Sequence, residues 1–503
     1  TSATNTGNIN YIQKNVSGAD NIVKVTQPRM YFGLETNEAI ATNTKNKKEY
    51  DYTDESGNEY TSTYEGNAGL KLNFIDRLIL GITKGNINLA FSSEMTENSK
   101  MLINRNIIER AKKALPNLIY DSKPYTIITD EGKLVWVVDA YTVSNNYPYS
   151  QYTSIEHDNI KEKINYIRNS VKVIIDAYNG TISYYITDRT DPIIMAYRNT
   201  YPTLFKDIEE KIPEDIAKHI IYPEYLYNIQ ANMLSIYHNV KPDVLYRNDD
   251  LWNIAKTNTT MSNKATGVKM EPYYTMVKTK DDKSNLGLVQ IYTPNKKQNL
   301  IAYLVGKTDG ITNKIKLYKF SNDSNIVGPM QLDKLISEDE AISKELETVA
   351  TTGTKVTKQM IIVPINNTLL YVEPIYQTML NESEVPVLKK VVIASGNKVA
   401  IGDTLEKALE NLLSKSAVDI QVENTDDIEG LIYAIIKANK NLTKSNENNN
   451  WEMMGKDIQK MQELVNSLDK LKEEENKKKL ENQTNNTTNN TVNNTANNIT
   501  NTH

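Results

Sequence analysis

The chain contains no cysteine in 503 residues. Disulfides, zinc–thiolate centres and cysteine nucleophiles are therefore excluded. Histidine is nearly as scarce. The four are His157, His219, His238 and His503, and no two stand in an HxH or HxxxH pair. A histidine-rich metal site has no support, and a Ser-His-Asp triad has only these residues to draw on. No apolar run reaches the roughly 18 residues that a bilayer span needs. The longest, such as "MIIVPI" and "LIYAIIKA", have strand or core-helix lengths. The opening "TSATNTGNINYIQ" has no apolar h-region of a signal peptide, and it begins with Thr rather than Met. That points to a processed protein or a part of a longer one. Net charge is −5 and the pI is about 5.7. Nucleic-acid partners, which call for a basic patch or stripe, are not expected. Walker A, GxGxxG after a strand, GxSxG and HExxH are all missing, and "GKTDG" (306–310) lacks the upstream glycine of a P-loop.

What is present reads as a globular chain. Apolar residues make up 39% and charged residues 24%, with a mean hydropathy of −0.54. The length allows two or three domains. The aromatic balance is unusual, with 31 Tyr against 5 Phe. Tyrosine suits half-buried rings whose hydroxyls reach water or a partner. That fits amphipathic sheet faces, or a polar-aromatic binding surface for glycans or peptides.

Hydrophobic periodicity and turn residues predict an α+β chain of mixed β-hairpins and helices. "LKLNFIDRLILGITKGNINL" reads as a helix with Leu72, Ile75, Leu78, Ile79 and Ile82 on one face. "MLINRNIIERAKKALPNL" reads as a second, with Leu102, Ile107, Ala111 and Leu115 inward and Pro116 as the stop. "YTIITDEGKLVWVVDAYT" is a hairpin turning at "DEGK", and "HDNIKEKINYIRNS" suggests a short helix. In "VKVIIDAYNGTISYY" an Asn179-Gly180 pair between β-rich runs is the strongest short-range hairpin signal. "QMIIVPINNTLLYVEPIYQ" is another hairpin, with Asn366-Asn367 at its turn. Asp403 followed by Glu406 fits a capping box opening a helix. The expected organisation is a polar arm (1–21), an α+β lobe (22–255), a polar break, a second α+β lobe (271–415), a helical hairpin (416–475) and a disordered Asn/Thr-rich tail (476–503). In the hairpin, Met454, Ile458, Met461, Val465 and Leu468 form an apolar seam.

Several residues invite chemistry. Asp-Ala-Tyr follows a β-rich run twice, placing Asp139 and Asp176 at similar points of two hairpins. Paired carboxyls can hydrolyse glycosidic bonds when about 5–9.5 Å apart. Asp176 also stands three residues before Asn179-Gly180, where an Asx side chain caps turn donors. Hairpin chemistry is the reading the residues favour. "YDYTDESGNEY" gathers Asp51, Asp54, Glu55 and Glu59 around Gly57. These hard oxygen donors could take Ca²⁺, although the register is not that of an EF-hand. No other cofactor is expected. Arg105 and Arg110, near Asp121, read as an ion-pair network or an anion clamp. Tyr141, Tyr147 and Tyr149 are the tyrosines to weigh for a binding surface.

Six stretches together carry a family resemblance: "QPRMYFGLET" (27–36), "NRNIIERAKKALPNLIYDSKPY" (104–125), "WVVDAYTVSNNYPYSQ" (136–151), "NYIRNSVKVIIDAYNGTISYY" (165–185), "VGPMQLDKLI" (327–336) and "TLLYVEPIYQ" (368–377). In collinear order over most of 22–475, the chain resembles the bacterial UPF0182 family of large, uncharacterised membrane proteins. The resemblance implies several N-terminal transmembrane helices before a long extracytoplasmic region. This chain would then be the extracytoplasmic region alone. No catalytic residue carries over. The expectation is a non-catalytic domain at the extracellular face of the cell membrane that binds an envelope partner or assembles with itself as a homo-oligomer. The alternative is an extracytoplasmic hydrolase using a carboxylate pair.

Overall fold

Three times along the chain, a long strand carries two short strands end to end on one of its edges. In the first case, Ile119–Tyr120 and Tyr125–Ile128 both pair with Leu134–Ser144. In the second, Trp252–Ile254 and Tyr273–Val277 both pair with Asn285–Pro294. In the third, Thr354–Lys358 and Ile361–Ile365 both pair with Thr368–Met379. All pairs are antiparallel. Each time the earlier short strand takes the C-terminal half of the long strand and the later one takes the N-terminal half. The first long strand continues into Tyr166–Asp176 and Ile182–Ile186, and the second into Ala302–Thr308 and Asn313–Lys319, giving five-stranded sheets. The chain is thus α+β, with short helices set between antiparallel sheets.

This computed structural model describes residues 25–419, the helical stretch 458–472, the short strands Ser2–Ala3 and Ile9–Asn10, and isolated positions near 431–438. Within 25–419 it leaves out 46–47, 54–56, 84, 86, 261–266, 278–284, 310, 322–325, 366–367 and 381–385. The tail 476–503, most of the arm 1–21, most of the helical hairpin 416–475 including Met454, and the Asn366-Asn367 turn lie outside the described residues. By contacts the chain divides into two compact units, 1–390 with 395–397, and 391–394 with 398–503. The first unit contains the split-edge strands of both expected lobes. In the second, the strand Lys398–Gly402 turns directly into the helix Leu405–Asp419. The helix is opened by Thr404, whose hydroxyl accepts from the Lys407 N–H. The expected cap was Asp403, one residue earlier.

In the first sheet the strand period of two sorts the core. Val138, Ala140, Val171, Val173 and Ile175 face the helix Ile107–Ala114 through Ile107 and Ala111. Asn106 caps that helix, accepting from the N–H groups of Ile108 and Glu109. All four residues expected inward here, Leu102, Ile107, Ala111 and Leu115, are buried, but the helix is shorter than expected and Leu102 lies on the preceding strand Lys100–Leu102. The opposite face carries Val135, Val137 and Ile174 against Ile212, Ile216 and Ile220. The helix Glu224–Tyr237 serves two sheets. Its Leu226 packs with Ile119, Tyr141 and Ile164 of the first region. Its Tyr227 and Ala231 pack with Leu288, Tyr292 and Leu304 of the second. Burying each such side chain is worth roughly 1.5–3 kcal/mol.

Two expectations change. Residues 157–164 form a hairpin, not a helix: Thr153–His157 pairs with Ile160–Ile164. Asp158 and Asn159 both take positive φ, at 51° and 62°. That is the backbone of a tight primed turn, which short polar residues tolerate. Of the helix expected over 70–89, Phe74–Thr83 forms, with Leu72 ahead of it and Asn88–Phe91 as a separate short helix, and Ile75, Ile79 and Ile82 are exposed at 64%, 56% and 64%. Its apolar stripe is not part of the core.

Candidate functional site

Beyond Ser144 the chain leaves the sheet and loops back as Asn145–Tyr152. Buried Asn165 pins this loop to the strand. Its side-chain carbonyl accepts from the Tyr147 N–H at 3.0 Å, its amide donates to the Tyr147 carbonyl at 2.7 Å, and its own backbone carbonyl accepts from the Ser150 hydroxyl at 2.8 Å. Tyr149 sits at the tip with φ 56° and is fully exposed. The pinned loop holds Tyr147 stacked on Tyr166, ring centroids 5.5 Å apart. Arg168, on the same side of its strand two residues on, lies 5.6 Å from the Tyr166 ring centroid. Its guanidinium is held by Asp188 at 2.9 Å and the Thr190 hydroxyl at 2.7 Å. The Tyr166 hydroxyl donates to Asp191 at 2.8 Å, and burial with this carboxylate raises its pKa, so it stays a donor.

Between this aromatic row and the helix Glu224–Tyr237 opens a cleft of about 700 Å³. Tyr147, Tyr149, Tyr237, Gln151 and Arg168 form its polar-aromatic part, and Ile164, Leu226, Ile229, Met233 and Leu304 supply apolar surface. Tyr237 donates to Gln151 at 3.3 Å across it. A neighbouring cleft of about 600 Å³ shares Ile167, Arg168, Leu226 and Gln230, and adds Asp188, Arg189 and Lys211. Together they form one half-open, amide- and tyrosine-lined trough. Sequence reasoning named Tyr147 and Tyr149 but missed Tyr166, Arg168, Gln151, Gln230 and Tyr237. The signal was the i, i+2 spacing of Tyr166 and Arg168, which shares a face only on a strand.

The other candidates sit elsewhere. Tyr141 is fully buried and donates to Asp121 at 2.6 Å, so it offers no surface to a partner. Asp139 is buried and paired with Lys172. Asp176 stands opposite Val135, four residues from Asp139, so the two carboxyls are separated by about 13 Å along the sheet. The Asp176 carboxylate accepts from the N–H groups of Tyr178 at 2.8 Å and Asn179 at 2.6 Å, and thereby caps the Asn179-Gly180 turn. Asp121 is raised above the usual carboxylate range by burial. Arg105 donates to the carbonyls of Tyr31 and Glu38, and Arg110 to those of Gly180 and Asn104. Burial lowers the pKa of both. They tie loops together and do not reach Asp121. Asp51 is held by Arg29 at 2.6 Å, Glu59 is exposed on the strand Glu59–Ser62, and Asp54 and Glu55 lie outside the described residues. Among the described residues no cluster of three His, Asp or Glu has a metal-holding arrangement.

The structure thus defines an α+β protein of split-edge antiparallel sheets with a tyrosine-lined trough. The model of an uncharacterised protein family, UPF0182, matches residues 1–349. A UPF0182 protein of Caldicellulosiruptor saccharolyticus is 37% identical over 483 residues, 93% of this chain and 52% of that protein. One of Clostridium acetobutylicum is 39% identical over 419 residues, 82% of this chain and 45% of its own. One of Clostridium botulinum is 37% identical over 454 residues, 89% and 49%. The chain belongs to the UPF0182 family, and it spans about half the length of the curated relatives it matches. No solved structure matches it. Among the described residues no helix is long and apolar enough to cross a membrane.

Proposed function

We propose that this chain is a non-catalytic extracytoplasmic part of a bacterial envelope protein and that its trough binds a glycan strand of the cell surface. The observation that carries the reading is the Tyr147–Tyr166 stack beside Gln151 and Gln230 at the mouth of the cleft of about 700 Å³. Aromatic faces cover the apolar faces of sugar rings, and amide side chains exchange hydrogen bonds with hydroxyls. Because Asn165 pins the loop, the rings are held in place before a ligand arrives, which lowers the ordering cost of binding. The membrane attachment of the family belongs, in this reading, to the half of the relatives that this chain does not span. Assembly with further copies is compatible with it and is not needed for the trough.

The test is a titration of the 503-residue chain with soluble peptidoglycan fragments, followed by isothermal calorimetry. Binding by the parent chain and a loss of at least about tenfold in Tyr147→Ala, with an unchanged melting temperature, is the expected result. Aromatic hot-spot truncations commonly cost that much or more. Turnover of the fragments would replace the reading with a hydrolase. Absence of binding, or equal binding by the variant, would remove it.

A further inference from the structure

The helix Phe74–Thr83 and the short helix Asn88–Phe91 pack against each other, with Phe74 and Phe91 edge to face at 6.0 Å. Their outer surface is apolar and open. Phe74, Ile75, Ile79, Ile82, Ile87 and Phe91 are between 50% and 69% exposed. Ile75, Ile79 and Ile82 follow i, i+4, i+7 spacing, so they make one stripe, and Gly81 is the only buried residue of the helix. Such a stripe marks a packing face, and among the described residues it stays open to solvent.

The choice of residues says what does. This chain writes its exposed rings as tyrosine: Tyr50, Tyr147, Tyr149, Tyr201 and Tyr246 are all open to solvent. Among the described residues the exposed phenylalanines are Phe74 and Phe91 alone. The stretch 65–119 contains no tyrosine at all. A hydroxyl is an asset facing water or a protein partner, and a cost facing hydrocarbon, where it finds no partner. Helices that lie in a membrane surface bury Phe, Leu and similar side chains below the headgroups and carry basic residues on their polar side. The charge points the same way. Between 70 and 91 the charged residues are Lys71, Asp76, Arg77 and Lys84, three basic to one acidic, in a chain of net charge −5. The single acid, Asp76, exchanges hydrogen bonds with Asn73 at the helix start. At about 15 Å the ten-residue helix is too short to span a bilayer and long enough to lie in its surface.

We infer that this helix pair is a membrane-surface dock that seats its Phe/Ile stripe at the headgroup–acyl boundary of an anionic bilayer. The dock holds the chain against the lipid independently of any other attachment. It does not rest on the trough: glycan binding and lipid binding can each fail while the other stands.

The experiment is co-flotation of the 503-residue chain with vesicles of phosphatidylcholine alone and of phosphatidylcholine with phosphatidylglycerol in equal parts, in low salt. Sedimentation velocity without vesicles runs alongside. The parent chain is expected to float with the anionic vesicles. Ile75→Ser/Ile79→Ser/Ile82→Ser is expected to lose at least tenfold in partitioning, with its circular dichroism and melting temperature unchanged. Phe74→Tyr/Phe91→Tyr, a milder change that keeps the packing, is expected to weaken partitioning several-fold. Three results overturn the inference: no flotation of the parent chain, equal flotation of both variants, or self-association of the parent that the triple variant abolishes while vesicles bind neither.

Discussion

Lys172 and Asp139 stand directly opposite each other on neighbouring strands, both buried, and form an ion pair next to the Tyr141–Asp121 hydrogen bond. Val137 and Ile174 lie on one side of the pair and Tyr141 on the other. Removing one partner strands the other charge where water does not reach. Lys172→Met is expected to cost about 3–5 kcal/mol, and adding Asp139→Leu to recover most of it. Urea denaturation of both variants checks this. A single variant as stable as the parent would mean that the pair is not buried as described.

Asp176 closes its hairpin through two backbone N–H groups. Asp176→Ala is expected to lower stability by about 0.5–2 kcal/mol, the cost of a lost cap. Glycan binding in the trough should not change, because Asp176 lies in a different part of the sheet. Calorimetry of melting and of binding on the same variant separates the two. Loss of binding at full stability would give the Asp-Ala-Tyr repeat a functional role.

Gly180 carries φ +65°, and a Cβ there would meet the Phe32 ring at 2.6 Å. Arg110 also donates to its carbonyl. A branched side chain suffers on both counts. Gly180→Val is expected to cost about 2–5 kcal/mol, summing left-handed strain of ~1–2 and overpacking of ~1–3. A thermal melt within a degree or two of the parent would contradict the fit of this turn against Phe32.

Glu373 is buried beside Lys358 and Asp333. Burial pushes its carboxyl up to about 7 against the pull of the Lys358 ammonium. The unfolded value is near 4.5. Between these values the folded state holds a proton that the unfolded state has released. The associated stability is therefore complete below about pH 4.5 and is lost as pH rises through about 7. Glu373→Gln keeps the neutral hydrogen-bonding shape and should flatten this part of the profile. Denaturation midpoints from pH 4.5 to 8, parent against variant, give the comparison. Parallel profiles would exclude the residue.

What was legible in the sequence was local. Asn179-Gly180 with Asp176 upstream, "DEGK", and the helix Ile107–Ala114 with Ile107, Ala111 and Leu115 inward all follow from neighbours in the chain. The 157–170 stretch was misread because its apolar residues are few and Asp158-Asn159 is a weaker turn signal than Asn-Gly. Once that segment became a strand, Tyr166 and Arg168 fell on one face and the trough took shape. The trough itself was illegible, because Tyr147, Arg168 and Tyr237 come from three elements that only the tertiary fold brings together. The two arginines were read as charge seekers, yet Arg105 and Arg110 spend their donors on loop carbonyls, which no sequence pattern announces. The Phe74–Thr83 stripe was seen as a helix face, but periodicity does not say whether such a face meets a core or a partner.

The split edge has a kinetic meaning. In each repeat the later short strand is a near neighbour in sequence of the half-strand it pairs with, as Ile365 is of Thr368 and Ile128 of Leu134. The earlier short strand must close a longer loop to reach its half, as Trp252 does to Pro294. Loop-closure entropy orders these events. The near hairpins are expected to zip first and offer a finished template, onto which the distant short strands dock later. Pulse-labelled hydrogen exchange during refolding should protect the amides of Tyr273–Val277 before those of Trp252–Ile254. With the long-range pairings deferred to single short strands, a chain with no disulfide to guide it commits its registers locally, one repeat at a time.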